Sequence, residues 1–148
     1  MCDSSADALP RLIVVEDNPA DVRLTKEGVA AAGVELDLQV LNSGQEAIDY
    51  FAAVADDDPR NHPNLILLDL NLPGKSGFEV LATVRAEPVF RETPAVVISS
   101  SETRDDIARA YDLSANAYVT KPADPDDYIT MIDATVDFWI TTTTQPNQ

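Results

Sequence analysis

Asn64-Leu65-Ile66-Leu67-Leu68-Asp69-Leu70-Asn71-Leu72-Pro73-Gly74 is the stretch that decides how this chain folds. An apolar run ends in one carboxylate and then breaks at Pro73-Gly74. A short continuous apolar run bounded by turn residues reads as a strand buried on both faces. Its last residue is therefore delivered to the rim of a sheet. In open α/β sheets the rim beyond the strand carboxyl ends is where ligands bind. A carboxylate is costly to keep at such a place without a use, so Asp69 is the candidate working residue.

Short apolar runs and helical patterns alternate on either side of that strand. The pattern predicts strands over residues 11–15, 35–41, 64–69, 94–99 and 117–120. Leu36, Leu38 and Val40 share one face of the second. Asn18-Pro19 opens the first helix as cap and first-turn proline, and Gly33 ends it. Ser43 caps a helix reaching about residue 55, and others cover about 76–85, 103–113 and 124–140, the last opened by Asp124-Pro125. Residues 56–63, with three successive aspartates, read as a solvated loop, and His62 within it as a loop residue rather than a phosphodonor. Five successive βα units imply a doubly wound α/β domain: a mostly parallel sheet with helices on both faces.

The totals agree with one domain. The 148 residues are 45 % hydrophobic, and a chain of that length buries roughly 68–70 % of its unfolded surface. No apolar stretch approaches the roughly 18 residues that read as a membrane span. Residues 1–9 lack the basic and hydrophobic regions of a signal peptide and read as a flexible leader. Cys2 is the single cysteine, which excludes a disulfide frame or a cysteine metal site. These features point to the cytoplasm. A formal charge of −16 argues against non-specific nucleic-acid binding, which runs on lysine and arginine. The same acidity fits a high-salt host, where screening relieves carboxylate repulsion, or an acidic protein of an ordinary cell.

Four strand ends carry functional groups: Glu16-Asp17, Asp69, Ser99, and Lys121 just after the fifth strand. In a doubly wound sheet they converge on one crevice. Clustered carboxylates repel one another and raise one another's pKa, a conflict that a hard divalent cation removes. Mg²⁺ takes oxygen ligands, with one or two carboxylates and phosphate oxygens. Lys121 and the Ser99 hydroxyl add an ammonium and a donor for a phosphoryl group, and phosphoryl transfer needs positioning and charge neutralisation above all.

Four segments make these residues recognisable: Val15-Glu16-Asp17-Asn18-Pro19-Ala20-Asp21-Val22, Leu67-Leu68-Asp69-Leu70-Asn71-Leu72-Pro73-Gly74-Lys75-Ser76-Gly77, Val97-Ile98-Ser99-Ser100-Ser101 and Ala117-Tyr118-Val119-Thr120-Lys121-Pro122. Together they resemble the receiver domain of two-component response regulators, over about residues 10–140. Arg23-Leu24-Thr25, Asn71-Leu72-Pro73-Gly74-Lys75 and Asp137-Phe138-Trp139 make the chain most similar to single-domain regulators that partner phytochrome-like histidine kinases. The resemblance implies a flavodoxin-like five-stranded parallel sheet in the order 2-1-3-4-5 with five helices. It implies a receiver over residues 10–140, a flexible tail over 141–148 and no attached output domain.

Carried over by position, Asp69 is the phosphoacceptor. Asp17, Asp69 and the Asn71 carbonyl bind Mg²⁺, and Glu16 acts through water. Lys121 pairs with the phosphoryl group, and Ser99 hydrogen-bonds to it. Ser99 and Tyr118 form the switch, while Asn71 and Ser101 flank the phosphoryl and tune its hydrolysis. The resemblance further implies a cis Lys121-Pro122 bond, a positive φ at Gly77, and a protein that assists its own phosphotransfer without being an enzyme. Ser99 stands where threonine is also common, keeping the hydroxyl and losing the methyl.

In the last helix, Ile129, Ile132, Val136 and Ile140 are expected to face the sheet. Tyr128, Met131, Phe138 and Trp139 then overflow that stripe and predict a homodimer or kinase contact through the fourth helix, fifth strand and fifth helix; the alternative has the tail folding over Trp139. Two other functions remain open to test. An aspartyl phosphatase of the dehalogenase type wants a second carboxylate two residues after Asp69, where Asn71 stands. A phosphorylation-independent interaction module would lack an acidic or lysine site residue, and none is missing.

Overall fold

A computed structural model describes residues 9–142. Most of the expected leader, and residues 143–148 of the expected tail, lie outside the described residues. Five strands, β1 (Arg11–Val15), β2 (Asp37–Leu41), β3 (Leu65–Leu68), β4 (Ala95–Ser99) and β5 (Ala117–Thr120), form one parallel sheet in the order β2-β1-β3-β4-β5. The order is the expected 2-1-3-4-5. At the carboxyl rim Val15 lies beside Leu41 and Leu68, Leu68 beside Val97, and Ser99 beside Thr120. This register brings Glu16, Asp69, Ser99 and Lys121 to one edge. Strand β2 begins two residues later than expected because Asp37 is where it meets Arg11, the first residue of its only partner strand.

The helices start where capping residues offer acceptors to free N–H groups. Asn18 Oδ1 accepts from Ala20 and Asp21 at the start of α1 (Pro19–Ala32), which ends at Gly33. Ser43 caps α2 (Gly44–Ala55), and Ser76 with Glu79 forms a capping box on α3 (Gly77–Ala86). Thr103 caps α4 (Arg104–Asp112), and Asp124 caps α5 (Pro125–Val136).

Alternation along each strand sends neighbours to opposite faces. Ile13, Val15, Ile66, Leu68 and Val97 pack with Phe51, Leu81, Val84 and Phe90 on the α2–α3–α4 side. Leu12, Val14, Leu65, Leu67, Val96 and Ile98 pack with Tyr128, Ile132 and Val136 on the other. Each fully buried side chain of this size contributes about 1.5–3 kcal/mol, so β1 and β3 are pinned from both sides.

Several expectations need correction. The inward row of α5 is Tyr128, Ile132 and Val136, continued by Ile140 past the helix end, not one led by Ile129. A strict four-residue step makes one continuous ridge on a helix, and Tyr128 starts it. Beyond Val136 the backbone widens into a π-type turn over Asp137–Thr142. There Trp139 packs against the core and Phe138 is 50 % exposed, while Met131, within α5, is half-buried. The surplus apolar surface of this helix thus shrinks to Phe138, and a tail folding over Trp139 falls outside the described residues. The 56–63 segment holds a short 3₁₀ turn at Pro59–Asn61, and the His62 ring meets Phe90 edge-on at 5.2 Å instead of standing in water.

The positive φ sits at Gly74 (+73°), in the Pro-Gly turn, and not at Gly77. Gly77 opens α3, and a Cβ there would run into the Asp69 carbonyl oxygen and stand 2.6 Å from the Leu70 Cα. Its glycine permits close approach, not an unusual dihedral. Among the described residues no peptide bond is cis, so Lys121-Pro122 is trans, the lower-energy isomer for X-Pro. No described helix is long and apolar enough to cross a membrane.

Candidate functional site

Asp69 leaves β3 with its N–H still donating to the Val15 carbonyl at 3.0 Å, so the ladder fixes where its carboxylate begins. It is 5 % exposed. Its Oδ1 accepts from the Asn71 N–H at 3.2 Å. Glu16 leaves β1 in the same way, donating to the Leu41 carbonyl at 3.0 Å, and its Oε2 accepts from the Asn18 N–H at 3.1 Å. Asp17 follows, exposed. Carboxylate oxygens of Glu16, Asp17 and Asp69 lie within 4.8 Å of one another.

Lys121 enters from the far edge, its N–H donating to the Ser99 carbonyl at 2.8 Å and extending β5 by one residue. A trans Pro122 bond does not hinder it. Its Nζ donates to Asp21 Oδ2 at 2.8 Å, Glu16 Oε1 at 2.9 Å and Asp69 Oδ2 at 3.3 Å. The expected lysine and acids therefore meet. Burial pulls the ammonium's pKa down, but the hydrogen bonds to Asp21 and Glu16 and the charges of Asp69 and Glu16 outweigh it and hold the pKa above the usual lysine value. Burial pushes the Glu16 carboxyl up to about 7 despite its bond to Lys121, and the neighbouring Asp69 charge adds to the rise.

These residues fit a hard cation. The donors are all carboxylate oxygens, and one ammonium does not balance four neighbouring acids. Oxygen ligation by a divalent ion answers both features. Asn71, Ser100, Asn18 and Pro19 line the same crevice.

Ser99 is fully buried, and its Oγ accepts from the Ser101 N–H at 3.1 Å. Tyr118 donates its hydroxyl to the Ser101 carbonyl at 2.8 Å. Both switch candidates thus grip the β4–α4 loop. Ser101 itself turns away: its Oγ donates to Asp106 Oδ2 at 2.6 Å, and Ser100 occupies the crevice wall where Ser101 was expected. Asp106 is third in α4, where Thr103 caps it, so the carboxylate reaches back over the helix start.

The sequence model of the "Response regulator receiver domain" matches residues 12–133, most of the chain. The chain belongs to the response regulator receiver family. Response regulator Rcp1 of Synechocystis sp. is 36 % identical over 135 residues, 91 % of this chain and 92 % of that protein. Among solved structures, the phosphorylated cyanobacterial phytochrome response regulator RcpA is 39 % identical, with a TM-score of 0.86 over 94 % of this chain and 99 % of that one. The Mn²⁺-bound form of Rcp1 superposes with a TM-score of 0.81 at 35 % identity, covering 93 % and 99 % of the two chains.

One residue of this receiver escaped the sequence reading. Asp21 makes the shortest of the lysine's three bonds. Its signal was its place in the first turn of α1, four residues after the Glu16-Asp17 pair at the β1 end.

Proposed function

We propose that Asp69 accepts a phosphoryl group from the phosphohistidine of a sensor histidine kinase. An Asp69 carboxylate oxygen forms the new bond to phosphorus as the phosphorus–nitrogen bond breaks, and the electron pair returns to the imidazole. The product is an acyl phosphate. The observation that carries this reading is a buried strand-end carboxylate with two acids and one lysine around it. Lys121 donates to a phosphoryl oxygen, and the Ser99 hydroxyl to another. Glu16, Asp17, Asp69 and the Asn71 carbonyl would hold Mg²⁺. When bound, the cation supplies positive charge against the charge that builds on the phosphoryl oxygens.

Once the Ser99 hydroxyl turns to the phosphoryl, its bond from the Ser101 N–H is lost, and the loop held by Tyr118 is free to shift. Moving such a two-state element from 1:99 to 99:1 takes about 5.5 kcal/mol of differential stabilisation, within reach of a few charge-assisted hydrogen bonds. Asn71 governs how water reaches phosphorus, and Ser101 joins it only after releasing Asp106. The protein assists its own phosphorylation and dephosphorylation and turns over no separate substrate.

The receiver unit is residues 10–140, it works in the cytoplasm, and its kinase is phytochrome-like, as the names of RcpA and a red-light signalling relative from R. palustris support. The signal leaves through the α4–β5–α5 face, to the kinase or a second copy, and half-exposed Tyr111 on α4 supports that face. Sedimentation that finds only monomer with and without a phosphoryl mimic removes the second copy.

The deciding experiment incubates the protein with acetyl phosphate and Mg²⁺ and measures labelling. Wild type takes up one phosphoryl group and Asp69→Asn none. Labelling that persists in Asp69→Asn, or is absent from wild type, rejects the assignment. Turnover of a phosphate ester would favour a phosphatase instead.

A further inference from the structure

An ammonium has three N–H donors, and Lys121 spends all three on Asp21, Glu16 and Asp69. A phosphoryl oxygen on Asp69 meets this lysine only after one of those bonds opens. The Glu16 side chain is 4 % exposed, so opening its bond strands a carboxylate away from water. The Asp69 bond is already the longest, and phosphorylation withdraws charge from that carboxylate. The Asp21 side chain is 22 % exposed, so water replaces the lysine there cheaply.

The backbone of Asp21 is tied on both sides. Its N–H donates to Asn18 Oδ1 at 3.2 Å, and its carbonyl accepts from the Thr25 hydroxyl at 2.8 Å. The carboxylate is thus anchored to the first turn of α1 while the lysine is not.

We propose that Asp21 is a positioning residue that holds Lys121 back in the unphosphorylated protein and competes with the phosphoryl oxygens for its ammonium. Asp21 thereby sets the affinity of the crevice for a phosphoryl group and slows its arrival. This rests on Asp69 being the phosphoacceptor. Neither the acids nor the phosphoryl contacts of the proposed reaction include Asp21. Its role is exerted through the lysine.

The test uses the full chain with Mg²⁺. Fluoroberyllate, a stable phosphoryl mimic, is titrated and followed by ¹⁹F NMR, and labelling by acetyl phosphate is timed in parallel. Asp21→Asn keeps the shape and both backbone ties and removes the charge. Loss of one charge-assisted bond on a partly exposed side is worth roughly a tenfold gain in fluoroberyllate affinity, with faster labelling. Glu35→Gln, an exposed residue before β2 at the opposite end of the strands, removes the same charge and leaves both readouts unchanged. In a Lys121→Met background Asp21→Asn gives no gain, because the lysine is the thing competed for.

Unchanged or weaker binding in Asp21→Asn overturns the proposal. So does an equal gain in the Lys121→Met background, which would mean simple repulsion of the anion. If wild type neither labels nor binds the mimic, the phosphoacceptor reading falls and this one with it. If wild type labels and Asp21→Asn shows no gain, this inference alone falls.

Discussion

Replacing Lys121 with methionine keeps most of the side chain's length and removes its charge from among three carboxylates. The Nζ–Glu16 distance of 2.9 Å corresponds to a gross attraction of roughly 6 kcal/mol at an effective dielectric of about 20. Part of that returns when a buried ammonium no longer has to be desolvated. Breaking one partner out of a buried pair typically costs about 3–5 kcal/mol. Glu16 limits the loss by taking up a proton.

The direction with pH follows from that proton. The Glu16 carboxyl is raised from 4.5 to about 7 in the folded protein. A carboxyl whose folded pKa exceeds its unfolded value loses stability as pH rises between the two. Without Lys121 the folded value climbs further, so the falling range extends to higher pH. The deficit of Lys121→Met against wild type is therefore about 1 kcal/mol at pH 5.5 and about 3 kcal/mol at pH 8.5. Urea unfolding followed by circular dichroism, at fixed ionic strength with a chelator, reads both values. A deficit that does not change with pH, or no deficit at pH 8.5, refutes the idea that Lys121 holds ionised Glu16 in place.

Gly77→Ala brings a Cβ against the Asp69 carbonyl and within 2.6 Å of the Leu70 Cα; an overpacking cost of about 1–3 kcal/mol exceeds the ~1 kcal/mol of helix propensity gained. The expected outcome is a net loss of stability in urea together with weaker Mg²⁺ binding. Mg²⁺ binding itself weakens as pH falls through about 7 and releases protons, because the Glu16 carboxyl is half-protonated there in the metal-free protein. Calorimetry in buffers of different ionisation enthalpy measures that release. With a formal charge of −16, the melting midpoint rises from low to molar KCl as screening relieves self-repulsion; a flat midpoint sinks the high-salt reading.

The residues legible in advance were those whose position depends on local pattern. Residues 65–68 read as a doubly buried strand because nothing in them needs water, and the helix caps at Asn18, Ser43 and Asp124 were legible because Asn, Ser and Asp satisfy free N–H groups within three residues. Asp69, Glu16, Asp17, Ser99 and Lys121 followed, since a strand end has only one place to go. The less legible features depend on what a second element brings. Tyr128 leads the inward ridge of α5 because α1 and the sheet lie against it. The Ser101 hydroxyl turns to Asp106 because the α4 cap places a carboxylate within reach. His62 is tucked against Phe90, which arrives from after α3. Gly77 was singled out for the wrong reason: its dihedral is ordinary, and its constraint is the backbone of Asp69 next to it.

By itself the sequence determined the alternation of strands and helices, the parallel sheet, and the arrival of three acids, a hydroxyl and a lysine at one rim. Those are consequences of periodicity and capping, which act over a few residues. Only the tertiary structure decided how the lysine's three N–H groups are shared out. That choice depends on distances of about 3 Å between groups as much as 105 residues apart in the chain, and no local pattern carries such distances. It made Asp21 a partner of the site and turned Ser101 away from it.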